Sequence, residues 1–274
     1  AKMQTCGNDY IFLEDFDGQI TCPEALCVTL CDRHYGIGAD GIILMERSQK
    51  ADARMRMFNA DGSEGSMAGN ALRCMAKYLY DNHIVSKEEM TIETGKGTKR
   101  VQVYTANGKV TSACVDMGYA TLDTTALHLN IPKRYVVDYP VEIGGEPWNI
   151  TCVDMGNPHC VVFCPRVDGV DVCRIGPQFE HASYFPDRIN TEFIRVVNPS
   201  TIKMRVWERG SGETMACGTG ACAAVVAAVA AGQCEQGRDI TVRVRGGDLV
   251  VNYTDEAVTL TGDAKLVYTG TVEY

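Results

Sequence analysis

Apolar residues alternate with polar ones, or gather into β-branched runs, at 42–46, 53–58, 91–94, 101–104, 110–117, 136–143, 161–164, 191–197, 202–207, 240–244, 249–253 and 258–261. This period of two, bounded by Gly, Asn, Asp and Pro, predicts strands at those positions. Helices are predicted at 23 to about 34, 69 to about 81, 174 to about 181 and 218 to about 231. The last is apolar on every side, built of Ala and Val, so it cannot lie on a surface. A short buried helix among many strands predicts a mixed α/β (α+β) architecture in which a bent, partly closed β-barrel wraps a central helix.

The pattern also repeats. An offset of 149 positions lays Met55-Arg56-Met57-Phe58-Asn59 on Met204-Arg205-Val206-Trp207-Glu208, then Glu64 on Glu213, Ala68 on Cys217 and Gly69 on Gly218. The same offset carries Gly7-Asn8 onto Gly156-Asn157 and Gly41 onto Asn190. One offset that holds at three separated places predicts two related halves of like construction. The halves are expected at 1–118 and 119–263.

Composition narrows the function. The 274 residues hold 26 Lys+Arg against 35 Asp+Glu, a net charge of −9, with no basic block. That argues against binding to nucleic acid or to an anionic membrane. The longest apolar run, 221–231, is shorter than the ~20 residues of a bilayer span, and no secretory signal pattern opens the chain, so a soluble cytoplasmic protein is expected. Thirteen cysteines, an odd number in a strand-rich chain of this size, read as reduced thiols rather than a disulfide framework. Cys22, Cys27 and Cys31 with His34 behind them have no second half to complete a tetrahedral zinc set, and are expected to be buried small hydrophobes with no metal.

Two repeat-related turns, 61–70 and 210–220, each lead from a strand into a buried helix. A helix start offers about four unpaired N–H groups and a partial positive charge, a place for a carboxylate. Two such termini facing each other across a cleft between the halves would hold an anion from both sides. Cys217 stands at one of them, and a thiol there is expected to ionise below its free value of about 8.5 and to serve as a base. The related position is Ala68, which has no ionisable group.

Asn59-Ala60-Asp61-Gly62-Ser63-Glu64, Gly69-Asn70, Met155-Gly156-Asn157-Pro158-His159, Glu208-Arg209-Gly210 and Ala216-Cys217-Gly218-Thr219-Gly220-Ala221-Cys222 together resemble the diaminopimelate epimerase family. Gly7-Asn8-Asp9-Tyr10 and Gly36-Ile37-Gly38-Ala39-Asp40 match it as well, in order along nearly the whole chain. The resemblance implies two pseudo-symmetric domains, with the C-terminal segment of about 264–274 returning to the first, and a cofactor-independent isomerase that interconverts LL- and meso-2,6-diaminopimelate in lysine and peptidoglycan precursor synthesis. It also implies a homodimer.

In that family one cysteine removes the α-proton as thiolate while another, on the opposite face, returns a proton as thiol. Cys217 matches one of them, and Ala68 occupies the place of the other. The resemblance therefore implies an inactive Cys-to-Ala form, since Cys74 and Cys222 lie too far round and along their helices to substitute. It assigns His159 and Glu208 to the reaction, with Glu208 and Asn8 near ammonium groups. Asn59, Asn157, Asn190 and Arg209 would take the distal end of the substrate, and Gly69, Asn70, Gly218 and Thr219 its reacting carboxylate. A related racemase acting on another amino acid, such as histidine, and a non-catalytic amino-acid-binding homologue are the alternatives.

Overall fold

The computed structural model describes residues 1–273 and divides into two units, Ala1–Asp116 with Thr261–Tyr274, and Met117–Leu260. In the first, β1 (Lys2–Thr5), β2 (Asn8–Glu14), α1 (Pro23–Cys31), β3 (Gly41–Glu46), β4 (Ala53–Asn59), β5 (Glu64–Gly65), α2 (Gly69–Asp81), β6 (Glu89–Thr94), β7 (Gly97–Ala106) and β8 (Lys109–Gly118) follow one another. The returning strand Lys265–Tyr268 pairs antiparallel with β1. From there the sheet runs β1-β2-β3-β4-β6-β7-β8, with β2–β3 and β4–β6 parallel and the other pairs antiparallel. Helix α2 touches β1 and β2 at one end of this order and β7 near the other, so the sheet curls around it.

The second unit contains β9 (Tyr139–Ile143), β10 (Glu146–Asp154), β11 (Pro158–Phe163), α3 (Val172–Glu180), β12 (Asn190–Asn198), β13 (Thr201–Glu208), β14 (Gly212–Glu213), α4 (Gly218–Ala230), β15 (Asp239–Val244) and β16 (Gly247–Tyr253). Its sheet order is β9-β10-β11-β12-β13-β15-β16, again with the β11–β12 and β13–β15 pairs parallel. Helix α4 touches β10 through β13 on one side and β15 and β16 on the other. Its Ala and Val side chains from Ala221 to Ala228 are buried, as an all-apolar helix requires.

The repeat extends to register and contacts. Tyr10 pairs with Gly41 in the first unit, and His159 with Asn190, each 149 positions on, in the second. Gly7 and Gly156 both turn with positive φ, 81° and 82°. Arg56 grips Glu64 through two hydrogen bonds of 2.8 and 3.1 Å, and Arg205 grips Glu213 with the same two distances. In each unit this bidentate pair ties a strand to the turn that feeds the central helix.

Local chemistry explains where element boundaries differ from the pattern. Helix α1 begins at Pro23 but stops at Cys31 rather than about His34, because the Asp32 carboxylate accepts from the backbone N–H of His34 and Tyr35, both at 2.7 Å, and closes a turn. Helix α3 starts two residues earlier than the apolar pattern suggests, with Asp171 as a cap accepting from the Arg174 N–H at 3.2 Å. Strands β1, β2 and β10 were not legible as alternation.

Cys22 is exposed, not buried, because it precedes Pro23 at the open end of α1; Cys173 is exposed as well and Cys114 partly so. Cys27 and Cys31 are buried with their sulfurs 3.6 Å apart, and among the described residues no group of three His, Cys, Asp or Glu could hold a metal ion. No described helix is long and apolar enough to cross a membrane.

Candidate functional site

Both central helices start from the same backbone. Ala68 caps α2 with φ −137° and ψ 121°, and Cys217 caps α4 with φ −121° and ψ 117°. The carbonyl of each accepts the first helical hydrogen bond, from Leu72 at 3.0 Å and from Ala221 at 2.9 Å. The side chains differ: Cys217 Sγ accepts from the Gly220 N–H at 3.3 Å, whereas Ala68 offers no cap.

In the second unit the sequence-predicted residues converge on Cys217. Its sulfur lies 3.6 Å from Thr219 Oγ1, and Thr219 Oγ1 accepts from Asn157 Nδ2 at 3.4 Å. Asn157 Oδ1 faces His159 Nε2 at 3.1 Å, and His159 Nδ1 lies 2.7 Å from Glu192 Oε1. The Glu208 carboxylate accepts from the Thr214 hydroxyl and from the Cys217 thiol. Burial pushes the Glu208 carboxyl above its ordinary value.

The electrostatics of Cys217 reverse the sequence expectation. Burial drives the thiol well above the usual cysteine range, and the carboxylates of Glu208 and Glu192 drive it the same way. The Thr219 hydroxyl and the Gly220 N–H oppose them but do not prevail. A helix start stabilises a thiolate only where water still reaches the sulfur or a cation stands beside it. Here two acids stand beside it, and the thiol is pushed up rather than down.

Arg209 and Asn190 form a second group in this unit. Asn190 Nδ2 donates to the Pro158 carbonyl at 2.8 Å and its Oδ1 accepts from the Arg209 N–H at 2.9 Å, while the Arg209 guanidinium holds the Asp187 carbonyl at 3.0 Å. Gly218 opens α4, next to Thr219.

In the first unit Asn8 and Asn70 come together, Asn70 Nδ2 donating to Asn8 Oδ1 at 3.0 Å. Asn8 also donates to Asp40 at 2.7 Å, and Asn70 Oδ1 accepts from the fully buried Arg73 at 2.8 Å. Gly69 opens α2 beside them. Asn59 stands apart, at the end of β4, where it donates to Ser63 Oγ at 3.0 Å inside the turn that Asp61 closes. Cys74 and Cys222 are fully buried in their helices, and burial lifts the Cys74 thiol to about 12.

The family model of diaminopimelate epimerase matches residues 1–122 and 151–272. The chain belongs to the diaminopimelate epimerase family. The diaminopimelate epimerase of Desulfovibrio desulfuricans is 47% identical over 98% of this chain and 96% of its own length. Those of Acetivibrio thermocellus and Methanococcus maripaludis are 44% and 42% identical over the whole chain and cover 98% and 99% of their own. Among solved structures, a probable proline racemase from Agrobacterium radiobacter superposes with a TM-score of 0.71 at 15% identity, covering 99% of this chain and 92% of that one. A hydroxyproline epimerase from Agrobacterium vitis superposes with a TM-score of 0.66 at 14% identity, covering 96% and 89%. The fold of the diaminopimelate epimerase family is thus shared with racemases of other amino acids.

Sequence reasoning missed Glu192, Arg73 and Thr214. Glu192 carried a signal, an acidic residue within the run Thr191-Glu192-Phe193-Ile194 that otherwise reads as buried strand. Arg73 on the buried face of α2 was a similar one.

Proposed function

We propose that this chain binds 2,6-diaminopimelate and carries the site that interconverts its LL and meso forms, with one of the two required thiols replaced by Ala68. The supporting observation is the pair of matched helix caps, Cys217 on α4 and Ala68 on α2, which share backbone geometry and differ in the side chain alone. Epimerisation breaks the α-carbon–hydrogen bond, delocalises the electron pair into the adjacent carboxylate, and forms a new bond to hydrogen on the opposite face. It needs a base, an acid and donors for the carboxylate as charge builds on it. Cys217, whose thiol burial and Glu208 push above the ordinary range, supplies one of the two, acid in one direction and base in the other. A cysteine at position 68 would supply the second.

In this reading the first-turn N–H groups of Gly69, Asn70, Gly218 and Thr219 take the reacting carboxylate. Arg209 with Asn59, Asn157 and Asn190 takes the distal carboxylate and its surroundings, and Glu208 and Asn8 lie near ammonium groups. His159, in line with Cys217 through Asn157 and Thr219, serves the proton transfer. The reaction uses no pyridoxal phosphate, since two thiols supply both proton steps, and by the same family reading it runs in a cytoplasmic homodimer in lysine and peptidoglycan precursor synthesis. The test is Ala68→Cys in deuterium oxide with diaminopimelate: deuterium at the α-carbon is expected from the variant and none from the present chain. A variant that binds diaminopimelate yet leaves its α-proton in place overturns the reading.

A further inference from the structure

His159 and Glu192 are both fully buried, and His159 Nδ1 lies 2.7 Å from Glu192 Oε1. A carboxylate oxygen accepts, so Nδ1 carries the proton of this bond, and Nε2, facing the Asn157 amide oxygen, which also accepts, donates as well; Asn157 is next in line to Thr219 and Cys217. Glu192 Oε2 is buried with no hydrogen-bond partner among the described residues. A buried carboxylate with half its acceptor capacity unused is unfavourable, and packing alone does not call for it.

The repeat shows what packing alone selects. Glu192 pairs with Val161 across the parallel β11–β12 ladder, and the related position in the β2–β3 ladder is Ile43 opposite Phe12. The helix residue above it changes in step: Ala71 in α2 corresponds to Gly220 in α4. A Cβ at Gly220 would lie 2.6 Å from Glu192 Oε1, so the glycine is what lets the carboxylate enter beneath the first turn of α4. An apolar pair in one unit has become an acid and a vacated Cβ in the other, at the helix start that carries Cys217.

We propose that Glu192 is a positioning residue of the proton-transfer site, which holds the His159 ring with its proton on Nδ1 and sets a fixed negative charge beside Cys217. The inference rests on the assignment of Cys217 made above. The groups facing Cys217 are the carboxylates of Glu208 and Glu192, the Thr219 hydroxyl and the Gly220 N–H, with His159 acting on Glu208. Of these, the two carboxylates favour the thiol, and Glu192 does so while also clamping the histidine.

The experiment uses the chain as it stands and needs no turnover. Iodoacetamide alkylation of Cys217, followed by peptide mass spectrometry from neutral to alkaline pH, is compared between the unaltered protein and Glu192→Gln. Removing one nearby charge moves the profile down by about one pH unit, so alkylation near pH 8 becomes roughly tenfold faster. Glu192→Asp, which keeps the charge, leaves the profile near its original place. An unchanged profile in Glu192→Gln overturns the proposal. If that variant does not fold, ¹⁵N-histidine spectra of the unaltered protein decide: His159 protonated at Nδ1 is expected, and a ring protonated only at Nε2 overturns it. Failure of Ala68→Cys to exchange deuterium would leave both readouts intact, so the two proposals fail separately.

Discussion

Ala68 and Cys217 hold equivalent cap positions 149 residues apart, with backbone angles within about 20° of each other, and Cys217 alone turns its side chain back to accept a helical N–H. The backbone for a second capping side chain is therefore already in place at position 68.

That geometry separates capping from chemistry. Serine at a helix cap stabilises by roughly 1 kcal/mol over alanine but is no base at neutral pH. Ala68→Ser should raise the urea midpoint of unfolding while leaving diaminopimelate without deuterium exchange. A serine variant that exchanges would mean that a thiol at this position is not needed.

Burial raises the thiols of Cys74, Cys164 and Cys217 above the ordinary cysteine value, that of Cys164 to about 11. Raised in the folded state, they keep their protons while the unfolded chain loses them, so the stability they contribute is complete below about pH 8.5 and declines as pH rises toward their folded values. Each such thiol adds up to about 1.4 kcal/mol of loss per pH unit in that window. Thermal unfolding at increasing pH should show the midpoint falling from about pH 9 upward, and a flat midpoint there would contradict the assignment.

Gly220 reverses the usual effect of a helical glycine. Elsewhere in a helix Gly→Ala stabilises by about 0.5–1 kcal/mol. Here the added carbon meets Glu192 Oε1 at 2.6 Å, so Gly220→Ala should destabilise by about 1–3 kcal/mol, measured by urea unfolding. A stabilised variant would show that Glu192 is free to move away.

The second unit's core is pinned by aromatic rings: Phe179 meets Phe193 at 5.5 Å and Trp148 at 5.4 Å between centroids, each edge to face. Phe179 and Phe193 are fully buried. Phe179→Ala should cost about 3–5 kcal/mol in equilibrium unfolding. A loss below 1 kcal/mol would mean that the surrounding side chains close the cavity.

Most strands, the four longer helices and the two-fold repeat could be read from residue types, because hydrophobic period, glycine turns and a constant 149-residue offset are local or pairwise properties of the chain; the family was legible in the resemblance of its motifs. The position of the N-terminal edge strands could not. Lys2–Thr5 is a strand because the far end of the chain, Lys265–Tyr268, lies against it, a pairing with no local signature.

The candidate site divides along the same line. That Cys217 would stand at a helix start, opposite in the repeat to Ala68, followed from sequence alone. That its thiol is pushed up did not, because the helix start is a local feature whereas its desolvation and the carboxylates of Glu208 and Glu192 arrive through tertiary packing. Identity and placement along the chain are written in the residues; the charge state of a buried group is set by what the fold brings within a few ångströms of it and by the water it excludes.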